Sequence, residues 1–364
     1  MKSLKLKIGG IILIFLCLFL FSRQQSYAQK ELVKFLSTNI EDGKRIIDAW
    51  TQPFLTADGV NLNNGWYVSA EPLKLGRFEF RLIGMSCFSP SSERMFNVED
   101  LELTNLRVKP GENLETSTIF GKSGDATTLE MIIDDPANPG QKIILSKFES
   151  PSGTGISFLP SFTPQISIGL VKGTEIMVRW LPDINYSGLK RSSWGIGLKH
   201  DILQWIPVAE KLPFSVSLIG NYAQTSLSYG GKLLEPAKGI TNPDTVSKYD
   251  DQGIAFENSA WSVGAAISKK FPVLTIFGGL HVNSSTSTIG LTGNFPVITY
   301  NSTSQKEIKN IAGSDIYIKS KNTQFVINAG LRIKMGIMHI TLGGNYATNG
   351  YYSAILALGI GYFN

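Results

Sequence analysis

The residues of this chain that could do acid–base or nucleophilic chemistry are three histidines and a scatter of serines. His281 lies in the stretch GLHVNSS, close to Ser284 and Ser285. A serine hydroxyl activated by a histidine and oriented by a third group could hydrolyse a lipid ester. No GxSxG elbow accompanies this pair and serine is frequent along the chain, so the stronger expectation for His281 is a polar side chain inside a barrel. His200, just before Asp201 and Trp205, and His339, just after a turn, read as interfacial residues. The cysteines are Cys17 and Cys87, too few for a CxxC metal site. The sequence therefore predicts no catalytic residue, no metal and no cofactor.

Charge at alternate positions is more informative. Arg77, Glu79 and Arg81 share one face of RFEFRLIGMS, opposite Phe78, Phe80 and Leu82. Glu175 and Arg179 share a face in TEIMVRWL, and Arg332 and Lys334 do so in QFVINAGLRIKM. Charges enclosed by protein need partners, which predicts an ion-pair network. The functional reading of the same seven residues is a constriction that selects permeants by charge.

Elements that could position these residues follow from a period of two. Alternation begins after Asn64 and recurs at 165–171, 174–181, 194–199, 214–229, 259–270, 273–285, 324–335 and 338–347, then in the closing SAILALGIGYFN. Many of these segments offer 9 to 12 alternating residues, the length of a tilted membrane-crossing strand. Their polar face is Ser, Gly, Asn and Thr with occasional Arg or Lys, which suits a wet lumen. Tight links at 172–173, 271–272 and 336–337 alternate with long ones at 182–193, 230–258 and 286–323. Outer-membrane barrels alternate short periplasmic turns with long outer loops in this way; only 200–213 is longer than its side predicts. Adding 77–87, 128–134 and 142–148 gives twelve strands, and two more within 66–120 would give fourteen. The expected fold is all-β: an antiparallel transmembrane β-barrel of about 12–14 strands. Trp180, Trp194, Trp205, Trp261, Tyr346, Tyr352 and Tyr362 would form interfacial girdles.

The N-terminus has a basic MKSLKLK, an apolar run of 14 residues from Ile8 to Phe21 and small residues at Ser26 and Ala28. This predicts a cleaved signal peptide over 1–28. Those residues carry four of the 34 basic side chains and none of the 29 acidic ones, leaving the remainder near +1. Nucleic acid is thereby not an expected partner. A helical period over 31–50 places Leu32, Phe35, Leu36, Ile40, Ile47 and Trp50 mostly on one face, with Pro53 as the stop. The expected organisation is a plug or brace over 29–64, inserted from the periplasmic side, and a barrel over 65–364. Leu356, Leu358, Ile360 and Tyr362 alternate in the closing strand, where Leu356, Leu358 and Ile360 would face lipid, while Gly359 and Gly361 face a tight lumen. Tyr362 or Phe363 would serve as the terminal aromatic signal for insertion by the barrel-assembly machinery.

The stretches LNNGWYVSAEPLKLGRFEF, GTEIMVRWLP and GIGLKHDILQWIP resemble an uncharacterised family of Gram-negative outer-membrane proteins labelled as a domain of unknown function. The resemblance implies an outer-membrane barrel and brings no substrate or catalytic residues. The helix followed by strands is also loosely similar to the long-chain fatty-acid transporter class of barrels, with no motif matched. The expected location is the bacterial outer membrane, with membrane lipid as surroundings. The expected function is passage or binding of a small hydrophobic ligand. The alternatives are a structural or assembly barrel that binds a protein partner through its outer loops and, more weakly, a membrane lipid hydrolase.

Overall fold

A computed structural model describes residues 40–361, apart from 136, 137, 139, 187, 208, 210, 211, 232–248, 301–305 and 316. The leader over 1–28, the helix positions Leu32, Phe35 and Leu36, and the terminal rings Tyr362 and Phe363 lie outside these residues, as does the side chain of Ile40.

One helix, α1 (Ile40–Asn63), precedes the strands. The strands in chain order are β1 (Phe78–Phe88), β2 (Met95–Asn97), β3 (Leu106–Val108), β4 (Glu115–Ser117), β5 (Thr128–Asp134), β6 (Lys142–Glu149), β7 (Phe158–Leu170), β8 (Thr174–Tyr186) and β9 (Leu189–Asp201). They continue with β10 (Ser215–Gly230), β11 (Gly253–Lys270), β12 (Leu274–Thr292), β13 (Asn294–Tyr300), β14 (Lys306–Ala312), β15 (Tyr317–Met335), β16 (Met338–Ala347) and β17 (Tyr352–Gly361). Ten of them close into one barrel in the order β1-β17-β16-β15-β12-β11-β10-β9-β8-β7. Neighbours are antiparallel, and β1 closes the ring by pairing with both β17 and β7.

The outside of the wall is apolar because every second residue of each strand faces away from the lumen. In β17, Leu356, Leu358 and Ile360 are half-exposed outside while Ala357 and Ser353 are buried inside. Gly359 is required by its neighbour: a Cβ there would lie 1.9 Å from the Nε2 of His339. Trp180 faces Trp194 across β8 and β9, and Tyr222 faces Trp261 across β10 and β11, making a band of outward rings. On β16 and β17, Tyr346 and Tyr352 are likewise opposed.

The barrel class is as the period predicts, but the count is ten rather than twelve to fourteen. All nine segments expected from Gln165 onward are in the wall, and β1 completes the even number. Segments 128–134 and 142–148 are instead β5 and β6 of a three-stranded sheet with β3. At seven and eight residues they fall short of a tilted crossing. Their apolar positions are used elsewhere, since Leu129 and Phe148 pack with Ile46 of α1, Val98 and Leu106. Residues 89–157 thus form a cap at the end of the barrel that also carries the long loops.

Helix α1 continues ten residues past Pro53, which was the expected stop. A proline inside a helix costs about 3 kcal/mol. Burial on both sides outweighs it, with Ile46, Ile47 and Trp50 before the proline and Leu55, Ala57 and Val60 after it. The Thr51 hydroxyl also donates to the Ile47 carbonyl at 2.7 Å. At 1.5 Å per residue α1 is about 36 Å long, enough to reach from the cap deep into the barrel.

In the cap, Glu130 lies buried between Arg107 at 2.9 Å and Lys147 at 2.9 Å. The hydrogen bond from Lys147, then that from Arg107, hold its carboxyl below the usual carboxylate range against the opposing effect of burial. A depressed folded value adds stability above the unfolded value of about 4.3, and that stability is lost as pH falls through the folded value. Proteolytic nicking of the cap should therefore rise on acidification through this range, and Glu130→Gln should remove that part of the pH dependence. Identical nicking profiles for the two proteins would contradict the assignment.

Candidate functional site

The chemistry-bearing residues converge in the lumen, which α1 and the extended segment 64–77 fill from end to end. The N-terminus of α1 is rooted in the cap. The Asp42 carboxylate accepts the backbone N–H groups of Thr104, Asn105 and Leu106, the last at 3.0 Å. Arg45 donates to the carbonyls of Leu101 and Glu102. Ile47 packs on Leu291, Phe295 and Ile318 at the long-loop end. The start of α1 therefore lies at the long-loop end, and segment 64–77 joins β1 at the short-turn end, the side from which the sequence predicts the plug to be inserted.

Lower down, polar groups join helix and wall. Asp58 accepts from Asn258 at 2.8 Å, Asn61 donates to the Leu159 carbonyl at 2.9 Å, and Asn221 donates to Asn63 at 3.2 Å. Gly59 permits the closest approach, because a Cβ there would sit 2.2 Å from the Oγ of Ser285. The chain then runs extended. Trp66 is 1 % exposed and lies against Gly195 and Gly197, where a Cβ would meet its ring at 3.0 and 2.8 Å. The Tyr67 hydroxyl bonds Nε2 of His281 at 2.9 Å and Oδ1 of Asn328 at 2.7 Å. Below it, Leu73 donates its backbone N–H to Glu175 at 2.9 Å.

The inward charges grip this segment. One rung of the wall carries Arg81, Gln165 and Arg179 side by side on β1, β7 and β8. Arg81 and Gln165 both donate to the Trp66 carbonyl, at 2.7 and 3.0 Å. Arg179 lies 3.9 Å over the Trp66 ring and donates to the carbonyls of Leu62 and Asn64. Glu79 pairs with Arg81 at 3.1 Å and with His339 at 2.7 Å. Glu175 pairs with Lys199 at 2.9 Å, and Lys199 also donates to the Ser69 carbonyl. Arg332 is buried in the same region.

Five of the seven charges singled out by alternation thus lie inside: Glu79, Arg81, Glu175, Arg179 and Arg332. Arg77 is exposed just before β1, and Lys334 is half-buried near the short-turn end. Lys199 and His339 belong to the buried set and were not singled out. Both sit on inward positions of alternating segments, and His339 is 1 % exposed rather than interfacial. His200 does lie at a strand end, where the Trp205 indole donates to it at 2.9 Å. Trp66 and Tyr67 carry no periodic signal, because the segment holding them belongs to no strand.

A serine–histidine pair is not assembled at His281. Its Nε2 is engaged by Tyr67, and the nearby Ser284 hydroxyl bonds Thr323 at 2.9 Å. Beside Tyr67 two small cavities of about 10 Å³ remain, each the size of roughly one water. The arrangement immobilises buried charge around a fixed segment, with Trp66 and Arg179 packed against each other inside the wall.

Solved structures with a similar course include Ail, the attachment invasion locus protein of Yersinia pestis, at 10 % identity and TM-score 0.26 over 79 % of this chain and 99 % of that one. The translocator domain of the autotransporter NalP from Neisseria meningitidis matches at 10 % identity and TM-score 0.26, over 86 % of this chain and 95 % of that one. The copper transporter OprC matches at 11 % identity and TM-score 0.27, over 78 % of this chain and 39 % of that one. No curated protein matches the chain. Residues 1–362 match a family of unknown function, DUF6588, and the chain, a closed antiparallel barrel, belongs to it.

Proposed function

We propose that this protein is a sealed outer-membrane barrel that anchors and presents its cap and long loops at the cell surface, where they bind a partner. The observation that carries this reading is the continuity of plug and cap. Ile46 is part of the cap's own core, and the same helix descends to Leu62, which packs against the cluster around Trp66 inside the wall. Withdrawing the plug to admit a solute would therefore dismantle the cap. Passage of a small hydrophobic molecule, the function expected first from the sequence, would need such a withdrawal; the cavities beside Tyr67 are too small to hold one. The short turns at one end and the cap and long loops at the other orient the cap outward. An epitope tag inserted after Gly111, a turn glycine of the cap with φ +91°, should bind antibody on intact cells. Binding only after the outer membrane is permeabilised would overturn the reading.

A further inference from the structure

The lower lumen holds more positive charge than its carboxylates neutralise. Arg81, Arg179, Lys199 and Arg332 are buried there against the buried Glu79 and Glu175 and the half-buried Glu71. Arg81 and Arg179 flank Gln165 on one rung, and among the described residues Arg179 makes no ion pair; it bonds two carbonyls and the amide of Gln165. An uncompensated charge at this depth is costly.

One of the two small cavities lies beside this charge. Its lining includes Gly65, Tyr67, Asn221, His281, Asn283 and Asn345. Gly65 marks how near the guanidinium comes: a Cβ built there would lie 3.6 Å from Nη2 of Arg179. Asn283 and Asn345 are 2 % and 8 % exposed, and among the described residues neither side chain has a hydrogen-bond partner. Buried amides are ordinarily bonded, so two free ones lining one cavity mark a guest. Since neither end of either amide is engaged, both can turn their N–H groups inward. Asn221 uses one N–H on Asn63 and has a second to give.

The chemistry of the wall selects the guest. No carboxylate lines the cavity, and guanidinium groups stand behind it, so a cation is disfavoured on both counts. We propose that this cavity binds a single halide-sized anion, chloride, donated to by Asn283, Asn345 and Asn221 and held by the excess charge of the Arg81–Arg179 rung. This site is independent of whether the cap binds a partner.

The test is unfolding by urea of the detergent-held full-length protein at fixed ionic strength in sodium chloride, sodium bromide or sodium gluconate. The expected result is a higher midpoint in the two halides that saturates with halide concentration, and an anomalous bromide peak in this cavity in crystals grown with bromide. Asn345→Asp supplies a negative charge of its own, so it should keep a high midpoint in gluconate and lose the halide response. Asn283→Leu combined with Asn345→Leu should lose the response as well. Equal wild-type midpoints in halide and gluconate would overturn the proposal, as would a halide response that survives in both variants or a cavity without bromide.

Discussion

Replacing Arg81 with alanine is expected to destabilise the folded barrel by about 3–5 kcal/mol, the cost of leaving one partner of a buried ion pair alone. Glu79 is 3 % exposed and would lose its bonded guanidinium, keeping His339 at 2.7 Å, while the Trp66 carbonyl would lose one of its two donors. Truncation differs from replacement of the whole pair. Arg81→Met together with Glu79→Gln removes both charges and keeps the volume, and this double variant should recover most of the loss, because a buried pair contributes little against an apolar substitute. Denaturant midpoints of Arg81→Met, Glu79→Gln and the double variant form a cycle that isolates the pair. A small loss in Arg81→Ala, within about 0.5 kcal/mol as for ordinary surface changes, would show that the pair is solvated and the lumen open at this level.

Trp66→Ala is expected to have an effect of the same size, about 3–5 kcal/mol for a large aromatic lost from a core. Its cause is different. The indole fills the space that Gly195 and Gly197 leave in the wall and supplies the face on which Arg179 rests. Removing it opens a cavity and strips a buried cation of its π partner together. Trp66→Phe keeps a face for the guanidinium and should cost distinctly less. Thermal or urea unfolding separates the two variants, and equal losses for Ala and Phe would deny the stacking any part in stability.

Much of the wall was legible because a strand with one face on a lumen and one on lipid must alternate. Hence β1 and the nine wall strands from β7 onward are visible as period-two runs, and the inward parity of Glu79, Arg81, Glu175, Arg179 and Arg332 is visible with them. The cap was misread for the same reason. Strands β5 and β6 alternate too, and a period does not say whether the apolar face meets lipid or, as here, Ile46 of a helix. The end of α1 was misplaced because Pro53 is a local signal, while the burial of Leu55, Ala57 and Val60 against the wall is not local. His339 stood at a segment end, where parity was set aside in favour of an interfacial reading, and Lys199, the last residue of its segment, was not singled out. Trp66 and Tyr67 were invisible as site residues, since a segment held by side chains from five or more strands needs no periodicity of its own.

That the lumen is closed in the folded protein is the claim on which the rest depends. Reconstitution of the purified full-length protein into planar bilayers tests it most directly. The proposed sealed barrel predicts current no different from that of the bare bilayer, because Trp66, Arg179 and the ion pairs around them occupy the lumen. Stable conductance steps from the wild-type protein would contradict it and return the small-molecule route to first place.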